Sequence, residues 1–260
     1  MKKYNDNIDM IITATGRIEY LNLLIHSIDK YTEYPYKIYI VTDIRNEVEQ
    51  KFFDSLNQMY IERDDIFILK SKNTDTRMGN EGWVNTPVDG RRVGLASIFK
   101  SIAYETGIEN SNGKYVCLLD YDVVFLNKWT EHIIPLTENH FFVSAMWRGD
   151  LNIARDQFFI YERKKFDDVG LIPDCSIGDT TGNVTHFAQN NNLPFYICEN
   201  SSTHGDMSLR DRHILNLVNG EQIFINDIPF LYHYGRGSAR ETKLYERWIK
   251  VVGNYLEINE

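Results

Sequence analysis

Two carboxylates standing two residues apart close an apolar run in Lys114-Tyr115-Val116-Cys117-Leu118-Leu119-Asp120-Tyr121-Asp122-Val123-Val124-Phe125. Tyr115 to Leu119 are continuously apolar, which suits a strand covered on both faces. If the chain stays extended, Asp120 and Asp122 point the same way. Like charges on one face repel unless a cation or a set of donors stands between them. A hard divalent cation, Mg2+ or Mn2+, prefers such oxygen ligands and would bring a phosphate-bearing ligand with it. A solvated Asp-Tyr-Asp turn is the other reading.

Other residues with chemistry lie further along. His233 follows an apolar run and precedes Tyr234-Gly235-Arg236-Gly237-Ser238. A lone histidine is often structural, but the glycines and Arg236 would let backbone and guanidinium approach a phosphate. His204, in Thr203-His204-Gly205-Asp206, is its rival as a nitrogen ligand, and nitrogen ligation would favour Mn2+ over Mg2+. Asp179 is either a general base or the N-cap of a helix starting at Thr180. Arg77, Arg91 and Arg92 offer grips for phosphate or an acidic acceptor, or are simply exposed. Trp83 and Trp147 offer sugar-stacking faces, with a core or partly buried role favoured for Trp147.

The elements that must position these groups follow from periodicity. Residues 8–14 and 37–42 read as strands, the second ending at Asp43, and 66–69 as a third. Ile18, Leu21, Ile25 and Ile28 trace one helix face, and Val48, Phe52, Leu56 and Met59 another. Short strand–helix–strand connections imply parallel pairing in an open α/β sheet. Residues 71–93 read as a long loop, which in a compact domain is usually functional. Leu95, Phe99, Ile102 and Ala103 predict a helix ending near Gly107. Trp129, Ile133 and Ile134 mark a further helical patch, and 166–170 a short element. Residues 141–147, 158–161, 194–198 and 229–234 are strand candidates, and Val184, Phe187 and Ala188 mark a helix after Gly182. Asn219-Gly220 signals a hairpin or a glycine-stopped helix. Ser238 and Glu241 have capping-box spacing ahead of a terminal helix carrying Leu244, Trp248, Val252 and Tyr255.

Composition narrows the function classes. With 260 residues, 43% hydrophobic and 13% aromatic, a well-packed core is expected. The net charge of −9 argues against a nucleic-acid surface or broad docking on anionic lipid. Cys117, Cys175 and Cys198 have neither disulfide-framework nor zinc-knuckle spacing. The N-terminus lacks a signal-peptide core and no apolar stretch is long enough to span a bilayer. The expected setting is the cytoplasm, including a peripheral place at the inner membrane face. No linker composition interrupts the chain, which predicts one domain.

Four stretches in order resemble GT-A-fold glycosyltransferases, particularly bacterial family 2-like enzymes. They are the first strand with Arg17-Ile18-Glu19-Tyr20-Leu21; Asp43 after the second strand; Gly94-Leu95-Ala96 through Gly113 to Asp120-Tyr121-Asp122, similar to the approach to a DxD motif; and Phe166 to Gly170 with Gly178-Asp179-Thr180. The resemblance covers roughly residues 8–200 and the tail more loosely. It implies a single Rossmann-like GT-A domain: a mostly parallel central sheet flanked by helices, a C-terminal helix, a nucleotide-binding half at 1–125 and an acceptor-binding half at 126–260. It further implies transfer of a hexosyl-type sugar from a nucleotide-diphosphate sugar, most simply a UDP-sugar, to a glycan or lipid-linked hydroxyl, as in polysaccharide biosynthesis. Asp120, Asp122 and His233 would hold Mn2+ or Mg2+. Thr13, Ala14, Thr15, Arg17, Asp43, Asp120, Tyr121 and Arg236 would bind the nucleotide sugar. Asp179 would be the base of an inverting displacement, although the family often has Glu-Asp where this chain has Gly178-Asp179. A retaining enzyme of the same fold, a sugar-phosphate nucleotidyltransferase and a non-catalytic nucleotide- or glycan-binding module are the alternatives. The nucleotidyltransferase class usually opens with a glycine-rich loop holding a basic residue and Pro, of which Thr15-Gly16-Arg17-Ile18 lacks the rest.

Overall fold

The structure is a computed structural model and describes residues 3–75, 83–85, 92–202, 215, 220–234 and 242–258. In chain order, the elements begin with β1 (Asn5–Thr13), α1 (Ile18–Tyr31), β2 (Tyr36–Thr42), α2 (Glu47–Met59), β3 (Ile66–Lys70), β4 (Trp83–Asn85) and β5 (Arg92–Gly94). Then come α3 (Leu95–Glu109), β6 (Gly113–Asp120), β7 (Val123–Phe125), α4 (Thr130–Asn139), β8 (Val143–Ser144), β9 (Trp147–Arg148) and β10 (Ile153–Ala154). The rest are β11 (Phe158–Glu162), α5 (Arg163–Asp167), α6 (Gly182–Asn190), β12 (Tyr196–Ile197), β13 (Glu199–Ser202), β14 (Glu221–Ile225), β15 (Ile228–His233) and α7 (Thr242–Leu256). Contacts group the chain into two compact units: residues 1–16, 34–120 and 135–197, and residues 17–33, 121–134 and 198–260.

The first unit is built on a seven-stranded sheet in the order β12-β8-β11-β6-β1-β2-β3. β6, β1, β2 and β3 run parallel, as their short connections predict, and β11 is antiparallel to both of its neighbours. The continuous apolar run of β6 is explained by burial on both faces: Tyr115 to Leu119 are all buried. α3 ends at Glu109, close to Gly107 as expected from sequence, with the glycine inside its last turn. A Cβ there would come within 2.4 Å of the Ile11 side chain, so the glycine admits a close approach of α3 to β1. α2 forms where predicted, but of its expected apolar face only Leu56 is buried, while Val48 and Met59 are 74% and 46% exposed. The expected strand over 141–147 resolves into the two short pieces β8 and β9. β4 and β5 pair antiparallel within the long segment read as a loop.

At the start of β6 the first unit buries an ion pair. Asp9 is fully buried and accepts from Asn7 Nδ2 (2.7 Å), from the Gly113 amide and from Arg163 Nη2 (3.2 Å). Arg163 also donates to the Gly113 and Ile108 carbonyls and to Ser111 Oγ. Each buried charge is thereby matched by several partners, the condition for tolerating such a pair in a core.

The second unit holds a four-stranded antiparallel sheet, β13-β14-β15-β7, together with α1 and α7. Its core packs Tyr20 and Leu23 of α1 with Tyr232, Tyr234, Trp248, Val252 and Leu256. The β14–β15 hairpin turns on Asn226 and Asp227, both with positive φ (49° and 63°), the signature of a two-residue type I′ turn. Gly220 leads into β14, and Asn219, with the choice between a hairpin and a glycine-stopped helix at Asn219-Gly220, lies outside the described residues. α7 forms with Trp248 and Val252 inward; its expected Ser238–Glu241 cap lies outside the described residues.

Candidate active site

β6 ends at Asp120, and Tyr121-Asp122 make a turn before β7. The condition under which the two carboxylates would share a strand face, an extended chain, is therefore not met. The turn itself brings them near each other. Thr13 is the parallel partner of Asp120, so the carboxyl ends of β1 and β6 are level, with β2 reaching Asp43 one strand away. Ligands of open α/β sheets gather at this end.

Asp122 and His233 are each about 5% exposed. β15 carries His233 opposite Val123 of β7, and the Tyr234 amide donates to the Asp122 carbonyl (3.0 Å), which fixes the turn against the strand. His233 Nε2 lies 3.4 Å from Asp122 Oδ1, and Nδ1 lies 2.6 Å from Glu221 Oε2. Burial disfavours the charged imidazole, but the two carboxylates outweigh it and raise its pKa to about 10. One ligand atom from each of Asp120, Asp122 and His233 lies within 4.8 Å of the others. Two carboxylates and one imidazole form a donor set that fits Mn2+ and, through its oxygens, Mg2+.

Asp120 is also held within the first unit. Lys100 of α3 makes an ion pair with Asp120, and its Nζ lies 2.8 Å from Asp156 Oδ2, though not aligned there as a hydrogen bond. Burial opposes the ammonium charge, yet the two carboxylates hold the Lys100 pKa well above its ordinary value. Sequence reasoning missed Lys100, Asp156, Arg148 and Glu221. One signal existed for the first: Lys100 is the sole basic residue of α3.

Asp179 is not a helix N-cap. α6 begins at Gly182, its N-cap is Thr181, and the cap has no side-chain hydrogen bond. The Asp179 carboxylate is instead gathered by four donors: Ser97 Oγ (3.0 Å), the Thr180 amide (2.9 Å) and Thr180 Oγ1 (3.3 Å) on Oδ1, and Arg148 Nη1 (2.8 Å) on Oδ2. Burial pushes its pKa up, but the Thr180 amide, Lys100, Arg148 and Ser97 together bring it below the usual aspartate value.

The remaining sequence candidates fall as follows. Asp43 is buried, with Oδ1 lacking a hydrogen-bond partner and Asn73 Nδ2 3.4 Å from Oδ2; burial raises its pKa. Ala14 is buried and its amide donates to Val41. Thr15 is exposed, next to Gly16 at φ +73°. Arg17 lies over the Tyr245 ring at 4.5 Å, with Nη1 unpartnered, and Tyr121 meets Tyr20 edge-on. Trp147 is partly buried and stacks on Phe195. Arg236, His204, Arg77 and Arg91, and the side chains of Trp83 and Arg92, lie outside the described residues.

No protein-family model matches the sequence, and no curated protein does so either. Solved structures do match. The mannosyltransferase PcManGT from Pyrobaculum calidifontis, in complex with GDP-Man and Mn2+, superposes with a TM-score of 0.51 at 11% identity, covering 99% of this chain and 74% of that one. S. aureus TarS 1-349, in complex with UDP, gives 0.50 at 9% identity, covering 96% of this chain; the chain spans 65% of that structure. No helix among the described residues is long and apolar enough to cross a membrane. With its mostly parallel sheet, flanking helices and C-terminal helix, the chain has the GT-A-type fold of nucleotide-sugar glycosyltransferases.

Proposed function

We propose that this chain is a metal-dependent glycosyltransferase that moves a sugar from a nucleotide-diphosphate donor to a hydroxyl of a glycan or lipid-linked acceptor. The observation that carries this reading is the group of Asp120, Asp122 and His233 at the carboxyl end of β6, on a fold shared with enzymes solved with GDP-Man and Mn2+ or with UDP. Asp120, Asp122 and His233 would hold Mn2+ or Mg2+, which supplies charge neutralisation for a departing nucleoside diphosphate.

The chain's own residues have separable tasks in this scheme. Asp43 offers a buried, unpartnered carboxylate oxygen, suited to accept from an N–H of the nucleobase, uracil in the simplest case. Thr13 at the end of the first strand and Ala14, Thr15 and Arg17 after it line the nucleotide side, with Tyr121 and Arg236 assigned there too. Lys100 fixes the direction of the Asp120 carboxylate through their ion pair. Asp179 is the base of an inverting displacement: Oδ1 is occupied by Ser97 and Thr180, while Oδ2, held by Arg148, keeps a lone pair for the acceptor proton. Residues 1–125 would serve the nucleotide and 126–260 the acceptor.

The test is a panel of nucleotide sugars with Mn2+, read by release of nucleoside diphosphate with and without glycan acceptors. Metal-dependent release from one donor, lost in Asp122→Ala, is expected. Binding without turnover of any donor would convert the reading into a non-catalytic module.

A further inference from the structure

The imidazole of His233 has a second partner that the metal reading does not use. Glu221 opens β14 and is the antiparallel cross-strand partner of His233 on β15. Such directly opposed residues place their side chains on the same sheet face. Both are about 5% exposed, and Glu221 Oε2 lies 2.6 Å from Nδ1, while Nε2 is the nitrogen turned to Asp122. The two ring nitrogens are thus divided between two carboxylates, one from the turn and one from the sheet.

We propose that Glu221 is a positioning residue for His233: its carboxylate accepts the Nδ1 proton, locks the ring, and reserves the Nε2 lone pair for a divalent cation shared with Asp122. The proposal rests on the metal reading above and extends it to a group that touches neither metal nor substrate. Three features carry it. The cross-strand register fixes the separation of the Glu221 and His233 backbones, which sets the two side chains beside each other on one sheet face. The carboxylate is buried, and burying a charge is costly unless it is paired and hydrogen-bonded, as Glu221 is to the His233 ring. The geometry is also the usual outer support of a ligating histidine, in which the non-ligating N–H is held by a carboxylate that sets the tautomer and raises the basicity of the ligating nitrogen.

The experiment titrates the full chain with Mn2+ alone, counting free ion by electron paramagnetic resonance, and repeats the titration with Mg2+ in competition. Glu221→Gln, which keeps an acceptor but removes the charge, should weaken Mn2+ about 10- to 100-fold. Mg2+, which depends on oxygen ligands, should weaken less. Nitrogen-14 coupling to bound Mn2+ should persist in Glu221→Gln and vanish in His233→Ala. Glu221→Asp, which keeps the charge one methylene short, should fall between wild type and Glu221→Gln, and serves if the glutamine variant does not fold. A Glu221→Gln protein that binds Mn2+ within twofold of wild type, or that loses Mn2+ and Mg2+ equally, overturns the positioning role and leaves the metal reading standing. Wild-type Mn2+ binding in both Asp122→Asn and His233→Ala overturns the two together.

Discussion

Arg148 Nη1 donates to Asp179 Oδ2 across 2.8 Å, from the short strand β9 to the segment that leads into α6. A single guanidinium therefore occupies the oxygen of Asp179 that Ser97 and Thr180 leave open, which makes Arg148 the residue through which the reactivity of this carboxylate can be tuned.

Replacing Asp179 with Asn should leave donor binding within about twofold while slowing transfer by 10²–10⁴-fold, roughly the contribution of a positioned general base. Calorimetric donor titration beside a transfer assay checks both. Transfer near the wild-type rate would place the base elsewhere.

The pH dependence has a definite sign. The folded pKa of Asp179 lies below its ordinary value of 3.8, so its ionised form adds stability above the unfolded value, and that contribution is lost as pH falls through the folded pKa. Transfer should thus show no acidic limb from Asp179 above pH about 4. In Arg148→Ala, where the guanidinium charge is gone and burial remains, the limb should move upward. Carboxyl-carbon titration of Asp179 by nuclear magnetic resonance reads the same shift directly.

Metal dependence gives a third expectation. Asp122→Ala should abolish Mn2+-dependent nucleoside-diphosphate binding, and chelation of the wild-type protein should reproduce that loss. Unchanged metal-dependent heat of binding in the variant would remove Asp122 from the site.

Lys100→Met strands two largely buried carboxylates, Asp120 and Asp156. Breaking such a buried arrangement typically costs about 3–5 kcal/mol, so a clear drop in thermal midpoint is expected. Mn2+ should restore part of it, because a cation bound by Asp120 in the folded state stabilises by mass action. Equal destabilisation with and without Mn2+ would show that Asp120 does not bind the ion.

Arg163→Met, in α5 and bonded to Gly113 at the opposite end of β6 from Asp120, offers a contrast. It leaves Asp9 fully buried without its guanidinium and should also cost about 3–5 kcal/mol, with Mn2+ affinity unchanged. Urea denaturation beside the Mn2+ titration separates the two effects.

Local pattern alone determined much of this protein. The apolar runs of β1, β2 and β6 and the periodic faces of α1 and α7 state their structure because burial on a strand or helix imposes a period on the residues themselves. Their order predicts the parallel sheet, and strand ends single out Asp43, Asp120 and Asp122. Tertiary structure decided what periodicity does not encode. Gly107 stands where α3 meets β1 and a Cβ would strike the Ile11 side chain, a packing fact invisible in the helix's own sequence. The β14–β15 hairpin turns at Asn226-Asp227, which no sequence signal singled out, because pairing with β15 selects the turn. Of the two readings of Asp179, general base or N-cap, the cap is ruled out by contacts with Ser97 and Arg148, residues 82 and 31 positions away. Asp120 and Asp122 are near each other through a turn, not an extended face, and His233 reaches Asp122 only because β15 pairs with β7. Glu221 stood unmarked for the same reason: its meaning comes from the residue across the strand, and cross-strand register is set by the whole sheet.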